Sequence, residues 1–326
     1  MDWSNKNVFI TGADGFIGGW IAKVLVERGA NVVVLARDDK KESALKLHNI
    51  QDKVNIVHGD ITDFSLLRRI INEYEIEYCF HLAAQALVQI ANRSPLSTFE
   101  TNIKGTWTLL EAVREVASPK FKGLIVASTD KAYGIHTKLP YTEESELLGI
   151  YPYDASKVCT DVLARCYHKM YNLPICVTRK ANIYGGADIN FGRIVPDTFK
   201  SILTNQDLII RSDGTPQRDY MYVEDAVEAY LTLAANMNRP EIVGQAFNFS
   251  SEKPVSVLEL VNTIVKVAGK HVQPKILGLA KGEIDVQYLS RAKAEKLLGW
   301  KPHYTLEQGL AKTLEWYKQY FAKSRQ

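Results

Sequence analysis

The chain has 326 residues, of which 46% are hydrophobic and 24% charged, so it is long enough to bury one large core or two smaller ones. Its 40 Lys and Arg residues against 37 Asp and Glu leave a formal charge of +3 without long runs of one sign, which argues against nucleic acid as the main partner. No apolar run could cross a membrane, no signal segment follows Met1, and the four cysteines show neither CxxC spacing nor a histidine cluster, so we expect a cytoplasmic protein with buried free thiols, no metal site and no membrane contact.

Short apolar runs alternate with amphipathic segments through the first half of the chain. Strands are predicted at residues 8–11, 32–35, 54–57, 78–82, 124–127 and 175–178. Helices are predicted at residues 16–27, 64–74, 95–116 and 153–171. Apolar strands between helices indicate a parallel sheet covered on both faces. The predicted fold class is therefore α/β, with a doubly wound, Rossmann-like sheet in a dinucleotide-binding domain over residues 1–182.

Glycine and proline interrupt the chain more often after residue 182, which predicts a smaller C-terminal α/β lobe over residues 183–326, with segments able to cross back between lobes. Helices are expected at residues 224–235, 257–268, 291–298 and 306–320, with short strands near 247–249 and 274–277.

Three glycines follow the first predicted strand in the segment TGADGFIG. Gly12, Gly15 and Gly18 permit a tight turn, a close approach of the backbone to a pyrophosphate, and packing of the helix against the strand. A merely structural turn is the alternative, but the position between a strand and a helix at the chain start favours dinucleotide binding. The same predicted contact segment includes Asp14, Phe16 and Ile17.

The end of the second strand carries Ala36 and Arg37 where an acidic residue would bind the adenosine ribose. A guanidinium suits a 2′-phosphate, which favours NADP as the cofactor. NAD stays possible if Asp38 or Asp39 binds the ribose.

Two further strand ends are predicted to contact the cofactor. Asp60, in HGDITD, could accept from the adenine amino group or cap a helix, and Ile61 follows it. The small residues of HLAAQ, among them Ala83 and Ala84 after Leu82, could let a cofactor lie close, although a packed turn would look the same.

Residues that could transfer protons lie in two segments: STDK (residues 128–131) at the end of a predicted strand, and YDASK (residues 153–157) at the start of a predicted helix. Tyr153 and Lys157 share one helical face because they are four residues apart. A lysine ammonium beside a phenol should lower the tyrosine pKa, so that Tyr153 could accept a proton from a substrate hydroxyl near neutrality. An ordinary surface pair is the alternative.

The chain as a whole resembles extended short-chain dehydrogenases/reductases of the nucleotide-sugar epimerase and dehydratase group. The resemblance spans essentially all residues, through TGADGFIGG, HGDITD, HLAAQALVQ, ETNIKGTWTLLEA, VASTDKAYG, PYDASK, TRKANIYGGAD, RDYMYVEDAVEAY and LLGWKP. It implies a cofactor in the first lobe and a nucleoside-diphosphate sugar in the cleft between the lobes.

Within that group, the residues after Thr129 distinguish 4,6-dehydratases from epimerases. The 4,6-dehydratases resemble STDE, whereas this chain has STDK, which is similar to CDP-glucose 4,6-dehydratases, as are PYDASK and NIYGGAD. The segment HLAAQ is shared with that family and with GDP-mannose 4,6-dehydratases, and RDYMYVED resembles the wider group. The resemblance implies that Tyr153 is the base on the sugar O4, supported by Lys157 and Thr129. It further implies that Asp130 and Lys131 act as acid at C6 and base at C5.

The resemblance also implies contacts with the substrate by Gln85, Asn182, Arg193, Arg218 and Glu283. It implies a homodimer as well, built on a four-helix contact of the helices at 95–116 and 153–171, whose apolar residues beyond the core stripe include Trp107, Leu110, Val113, Leu163 and Tyr167.

The predicted function is therefore conversion of an NDP-hexose to an NDP-4-keto-6-deoxyhexose, with a hydride that is stored and returned. One alternative is a sugar epimerase of the same fold, in which Asp130 and Lys131 only bind hydroxyls. Another is a non-catalytic dinucleotide sensor, which would have no need of the Tyr153 and Lys157 pair.

Overall fold

Strands and helices alternate along the chain. The computed structural model describes residues 1–116, 118–279 and 284–323. The strands are β1 (Asn7–Thr11), β2 (Asn31–Ala36), β3 (Asn55–His58), β4 (Tyr78–His81), β5 (Gly123–Ala127), β6 (Ile175–Lys180), β7 (Asn182–Tyr184), β8 (Ile209–Ile210), β9 (Gln217–Arg218), β10 (Tyr220–Tyr222), β11 (Ala246–Phe249), β12 (Val255–Ser256), β13 (Lys275–Ile276) and β14 (Val286–Gln287). The α-helices are α1 (Phe16–Glu27), α2 (Ala44–Leu47), α3 (Phe64–Glu73), α4 (Val88–Arg93), α5 (Pro95–Phe99), α6 (Gly105–Val116), α7 (Pro152–Tyr171), α8 (Ile194–Thr204), α9 (Val223–Ala235), α10 (Val257–Val267), α11 (Ala292–Leu298) and α12 (Leu306–Lys323).

A seven-stranded parallel sheet forms the centre of the fold. Its strand order is β3-β2-β1-β4-β5-β6-β11, and every neighbouring pair is parallel. The predicted α/β class and the six predicted strands of the first half are confirmed. The order reverses between β1 and β4, and the crevice above the carboxyl ends at such a reversal is where open α/β sheets bind ligands.

Helices cover both faces of this sheet because its strands are apolar on both sides. In β1, Val8 and Ile10 point to one face and Phe9 to the other, as the two-residue period of a strand requires, and all three are fully buried. Helices α1 and α9 pack on the first face, and α3, α6 and α7 pack on the second. The strand ends that carry the site therefore rest on packing from both sides.

Residues beyond 182 contribute to both parts of the molecule. β11 pairs with β6 in the central sheet, so the strand expected near 247–249 does not belong to a separate C-terminal sheet. Helices α8, α10 and α12 pack together beside the small sheets β10-β7, β12-β9-β14 and β13-β8. The four helices predicted here are confirmed as α9 to α12, whereas the strand expected at 274–277 is reduced to β13.

The long helix predicted at 95–116 is wrong as one regular α-helix. It is α5, a π-helical turn at Glu100–Lys104, and α6, with the unpredicted α4 before it. The carbonyl of Asn102 accepts hydrogen bonds from the hydroxyls of Thr106 (2.6 Å) and Thr160 (3.1 Å). These hydroxyls compete with the regular helical bonding pattern, which accounts for the wider turn.

Among the described residues, no helix combines the length and apolar character needed to cross a bilayer. All four cysteines are free, and Cys79 and Cys176 are buried, which raises the pKa of both thiols. The expectation that all four are buried is wrong, because Cys166 lies exposed on the outer face of α7.

Candidate active site

A cavity of about 620 Å³ opens above the carboxyl ends of the central strands. Its wall combines the turn between β1 and α1, the loops after β2, β3 and β4, the end of β5 and the start of α7. The cavity occupies the crevice at which the strand order reverses. Its volume falls within the range of roughly 300 to 1,000 Å³ that is usual for small-molecule and cofactor sites.

The turn between β1 and α1 approaches its surroundings too closely for any side chain. Gly12 has a φ of +77°, and a Cβ there would lie 2.7 Å from the backbone nitrogen of Ala83. A Cβ on Gly18 would collide with the carbonyl oxygen of Gly12. Gly15 is the N-cap of α1 and offers no side-chain cap, which leaves the first amides of the helix for another acceptor. A helix start of this kind in a cavity wall fits the pyrophosphate of a dinucleotide.

The residues between these glycines also line the cavity: Asp14, Phe16 and Ile17. Burial raises the pKa of Asp14, against the smaller opposing effects of Lys40 and His58. Asp14 therefore adds a carboxyl group to a wall in which the first amides of α1 favour anions.

At one end of the cavity, Arg37, Asp38, Asp60 and Ile61 form the wall. The Arg37 side chain is 63% exposed and its Nε donates to Asp38 Oδ2 over 3.0 Å. Burial raises the pKa of Asp60, but the hydrogen bonds from Thr62 and the charge of Arg37 outweigh it and leave that pKa below its ordinary value.

The helix-cap alternative for Asp60 is wrong. The N-cap of α3 is Asp63, whose carboxylate accepts from the amide of Leu66. Asp60 Oδ1 instead accepts from the amide and the hydroxyl of Thr62 at 2.9 Å and 2.7 Å, within a local turn. Its carboxylate is thus a fixed acceptor in the cavity wall.

The loop after β4 is tied to β1 by one hydroxyl. Thr11 Oγ1 accepts from the amides of Leu82 (3.2 Å) and Ala83 (3.1 Å). Ala84 and Gln85 continue the same wall. The amide of Gln85 donates to the side chain of Asn102 over 2.7 Å, so the π-helical turn holds this loop in place. Gly12 cannot carry a side chain because this loop passes directly over it.

Tyr153 and Lys157 enter the cavity from the first turns of α7. The Lys157 ammonium donates to the carbonyl of Ala127 over 2.8 Å, and burial lowers the pKa of Lys157 to about 8. Burial raises the pKa of Tyr153, and the charge of Asp130 adds to that rise. The expectation of a lowered pKa for Tyr153 is therefore wrong, because burial outweighs the opposing charge of Arg193.

The segment after β5 contains Thr129, Asp130 and Lys131, and none of these three residues lines the cavity. The Thr129 hydroxyl donates to Asp130 Oδ1 over 2.9 Å, and its proximity to the Tyr153 phenol lowers the pKa of Tyr153 against the larger effect of burial. Asp130 is 3% exposed, and its carbonyl accepts from Gln287 of β14 over 3.3 Å. These three residues thus stand behind Tyr153, on the side of the C-terminal lobe.

Of the residues expected to bind substrate, the structure brings only some to the cavity. Arg193 lines the cavity and donates to Asp188 over 2.9 Å. Asn182 and Arg218 lie outside its described lining, donating to the carbonyls of Asp219 and Gln217. Glu283 lies outside the described residues.

The family described as GDP-mannose 4,6 dehydratase matches residues 9–313 of this chain. The chain belongs to this family. The match covers the glycine turn, the Tyr153 and Lys157 pair and most of the C-terminal lobe in one stretch. The resemblance to extended short-chain dehydrogenases/reductases is confirmed.

Individual relatives divide between two chemistries. The CDP-glucose 4,6-dehydratase of Salmonella typhimurium is 30% identical, over 97% of this chain and 91% of the relative. The structure of the Thermotoga maritima UDP-glucose 4-epimerase with UDP-glucose has a TM-score of 0.88 at 30% identity, covering 97% of this chain and 99% of that one. The structure of dTDP-glucose 4,6-dehydratase from Bacillus anthracis in complex with NAD has a TM-score of 0.84 at 28% identity, covering 96% and 97%.

Sequence reasoning missed several polar residues of this family member's site. Lys180 and Tyr230 line the cavity and hydrogen-bond to each other, and Asp188 anchors Arg193. Lys180 could have been noticed as one of two consecutive charges, with Arg179, at the end of the buried strand β6. Tyr230 lies on α9, whose place in the fold follows from the topology.

A further carboxyl group lies directly after Tyr153. Asp154 is 7% exposed, and burial raises its pKa to about 6, with Lys131 lowering and Asp130 raising it. Among the described residues, no group of three or more metal-ligating side chains is placed to hold an ion.

Proposed function

We propose that this chain is a nucleotide-sugar 4,6-dehydratase, which converts a nucleoside-diphosphate hexose into its 4-keto-6-deoxy derivative. The coarser class, a dinucleotide-dependent enzyme acting on nucleotide sugars, is supported by the family and by the activities of both kinds of relative. The observation that carries the finer assignment is the buried carboxyl group of Asp130 behind Tyr153 and Thr129. Oxidation at C4 does not need such a group, whereas elimination of water needs an acid and a base of its own.

Tyr153 accepts the proton of the sugar O4 in this proposal, and Thr129 hydrogen-bonds to the same region. Because burial raises the pKa of Tyr153, the phenolate needs nearby positive charge. Arg193 already lowers that pKa, and Lys157, with a pKa of about 8, is largely protonated at neutrality. A dinucleotide held by the glycine turn, Asp60 and Arg37 would supply the hydride acceptor for C4 and the hydride donor for C6.

We assign the elimination of water to the two residues that follow Thr129. Lys131 removes the C5 proton, which the C4 ketone has made acidic, and Asp130 protonates the departing C6 hydroxyl so that it leaves as water. The two groups are consecutive in a 3₁₀ turn, Asp130–Tyr133, whose start is fixed by the Thr129 hydroxyl. The turn therefore presents an acid and a base from one short segment.

A 4-epimerase is the second candidate. Lys131 lies outside the described cavity lining, and the Thermotoga maritima epimerase shares the fold over 97% of this chain. In that case Asp130 and Lys131 would bind hydroxyls without transferring protons.

Product analysis separates these candidates. Incubation with CDP-, GDP-, UDP- and dTDP-hexoses should yield a 4-keto product lighter by one water, whereas an epimerase gives a product of unchanged mass and a sensor gives none. In Asp130→Asn, product formation should fall by about 10²- to 10⁴-fold while reduced cofactor accumulates, because C4 is still oxidised. Lys131→Met should lose solvent deuterium incorporation at C5. Full turnover in both variants would contradict the dehydratase assignment.

The proposal extends to NADP as the preferred cofactor. Arg37 lies at the end of the cavity remote from Tyr153 and offers a guanidinium suited to a 2′-phosphate. The Bacillus anthracis relative has NAD bound, so NAD is the alternative, with Asp38 in the same wall as the ribose ligand.

The proposal also includes a homodimer through α5 to α7. Leu110 and Val113 do not support it, because both are fully buried in the core of their own chain. Exposed apolar residues on these helices do support it: Leu96, Trp107, Val162 and Met170. Trp107→Glu should give a monomer by light scattering at micromolar concentration if this face pairs, and a wild-type monomer would contradict the dimer.

A further inference from the structure

A buried ion pair that the proposed mechanism does not use joins strand β6 to helix α7. The Nε and Nη2 atoms of Arg179 donate to the two carboxylate oxygens of Asp161 over 2.8 Å and 3.0 Å, and the two side chains are 2% and 0% exposed. Burial by itself would lower the pKa of Arg179, but the hydrogen bonds and charge of Asp161 raise it overall. The guanidinium therefore keeps its charge inside the protein.

Asp161 continues the face of α7 that carries the residues assigned to oxidation at C4. Tyr153, Lys157 and Asp161 follow one another at four-residue intervals, so their side chains lie along one face of the helix. The bidentate contact with Arg179 is about two turns from Tyr153. It therefore fixes where this face lies relative to β6, the neighbour of β5 in the sheet.

The third nitrogen of the guanidinium reaches the turn that carries the proposed acid and base. Arg179 Nη1 donates to Tyr133 Oη over 2.8 Å, and the guanidinium carbon lies 5.0 Å from the centroid of the Tyr133 ring. Tyr133 Oη in turn donates to Asn248 Oδ1 of β11 over 2.8 Å. Both Tyr133 and Asn248 are fully buried. Burial raises the pKa of Tyr133 to about 12, against the opposing charge of Arg179, so this hydroxyl stays protonated.

Tyr133 is the last residue of the 3₁₀ turn that begins with Asp130 and Lys131. The Thr129 hydroxyl holds the other end of the turn by accepting from the amide of Lys131 over 3.4 Å. Because only Ala132 lies between Lys131 and Tyr133, a shift of Tyr133 also moves the base and the acid beside it. As the structure describes the cavity, neither Arg179 nor Tyr133 lines it, so both act on the reaction through the position of other groups.

We propose that Arg179 and Tyr133 are positioning residues, which hold the acid and base of the proposed elimination in register with Tyr153. Oxidation at C4 uses Tyr153, whereas elimination uses Asp130 and Lys131 on the same bound sugar. Because a misplacement of about 1 Å can cost about 10²-fold in rate, release of the turn should slow elimination more than oxidation. This inference rests on the dehydratase function proposed above and names the residues that align its second step.

The test is Tyr133→Phe, which removes the hydroxyl and keeps the ring stacked on Tyr141 at 5.0 Å between centroids. Nη1 of Arg179 retains the carbonyl of Glu143, and the Asn248 side chain retains the carbonyl of Tyr141. Buried groups that lose the hydroxyl thus keep other partners.

The substrates are CDP-glucose, dTDP-glucose, UDP-glucose and GDP-mannose, and the one that the wild type converts is used for every variant. Rapid quenching and mass spectrometry separate the C4-oxidised sugar, lighter by two hydrogens, from the product, lighter by one water. In Tyr133→Phe, oxidation should stay within about threefold of wild type, while elimination slows by about 10- to 100-fold and the oxidised sugar accumulates. A loss of folded protein would lower both steps by the same factor.

Tyr184→Phe is the matched control. Tyr184 is 2% exposed, and its hydroxyl donates to the carbonyl of Leu306 over 3.1 Å, outside the Arg179 network. Removal of this buried hydroxyl should leave the ratio of the two rates unchanged. Arg179→Lys tests the other end of the contact, because an ammonium can pair with Asp161 but has no fork to bond Tyr133 as well. It should shift the ratio in the same direction, and it replaces Tyr133→Phe if near-UV circular dichroism shows that variant to be unfolded.

The inference and the proposed function fail in different ways. Equal slowing of both steps in Tyr133→Phe and Arg179→Lys, or no slowing of either step, overturns the inference and leaves the proposed function intact. The same change of ratio in Tyr184→Phe also overturns it. If the wild type forms only an epimer of unchanged mass, or no product, from all four sugars, the proposed function itself fails before any variant is made.

Discussion

The two ends of the cavity are built by different means. At the glycine turn the shape comes from backbone: Gly12 passes under the loop after β4, and the Thr11 hydroxyl ties that loop down. The other end, which carries Tyr153 and Lys157, is the proposed catalytic end. Its shape comes from side chains of distant elements, since Lys180 contacts Tyr230 of α9, and the Asp130 carbonyl accepts from Gln287 of β14.

This difference decides what each end tolerates. The turn at Gly12 is formed by backbone atoms and has no room for an added side-chain atom. Its shape does not depend on which neighbouring side chains are charged. The side-chain-built end accepts isosteric changes but depends on which groups are charged, because Asp130, Asp154, Lys157 and Lys180 are all buried. Substitutions at the two ends should therefore fail in opposite ways, one in binding and the other in chemistry.

The largest effect is expected for Tyr153→Phe at the catalytic end. The ring is kept, so dinucleotide affinity should change little, but no hydroxyl remains to take the O4 proton, and turnover should fall by about 10²- to 10⁴-fold. Pre-steady-state absorbance of reduced nicotinamide measures the first hydride transfer directly. Tyr151→Phe, an exposed neighbour at the N-cap of α7, is the control and should behave as wild type. Unimpaired hydride transfer in Tyr153→Phe would remove Tyr153 from its proposed role.

Gly12→Ala should fail in the opposite way. The added Cβ would lie 2.7 Å from Ala83 N at a φ of +77°, so we expect at least about a hundredfold loss of dinucleotide affinity together with reduced stability. Calorimetric titration and chemical denaturation measure the two effects. Gly269→Ala separates them, because Gly269 has a φ of +64° with nothing within 4 Å, and it should lose only about 1 to 2 kcal/mol of stability. Equal affinities for wild type and Gly12→Ala would contradict the close approach.

The charge dependence of the catalytic end should appear in stability against pH. Burial raises the pKa of Asp154 from 3.8 to about 6, so the folded state binds this proton more tightly than the unfolded state does. The resulting stabilisation is complete below pH 3.8 and is lost as the pH rises through 6. Between pH 4 and pH 7 the wild type should lose about 2 to 3 kcal/mol relative to Asp154→Asn, measured by urea denaturation. Parallel pH profiles for the two proteins would mean that Asp154 titrates normally.

The smallest effect is expected for Arg37→Ala, because Arg37 is largely exposed and already pairs with Asp38. The preference for NADP over NAD should fall by about tenfold, the loss of one charge-assisted contact at the surface. The ratio of the two dissociation constants measures it. Arg28→Ala, an exposed arginine paired with Glu228 outside the cavity, should leave the ratio unchanged. Equal wild-type affinity for both cofactors would show that another group binds the ribose.

The fold was predictable where a single segment determines its own structure. The six strands of the first half are apolar runs and their helices have clear spacing, so local pattern was sufficient. The π-helical turn was not predictable, since it depends on hydroxyls of Thr106 and Thr160 that reach the Asn102 carbonyl only after α6 and α7 have packed. The place of β11 depends on long-range strand pairing, which a local reading does not contain.

The same division applies to the candidate site. The glycine turn was predictable because its three glycines and their spacing lie within one short segment, although the backbone that Gly12 approaches belongs to Leu82 and Ala83. The altered pKa values of Tyr153 and Asp154 depend on burial among residues far apart in the sequence, so helical spacing alone gave the wrong direction for Tyr153. Lys180 was overlooked for the same reason, since its hydroxyl partner is fifty positions further along the chain.

The pairing of β11 with β6 has a consequence for biosynthesis. Until Ala246–Phe249 pairs with it, β6 is the edge of a six-stranded sheet, and one side of this strand has unpaired amides and carbonyls. A nascent chain in which β6 has folded and Ala246–Phe249 has not yet emerged from the ribosome should therefore be prone to association through this edge.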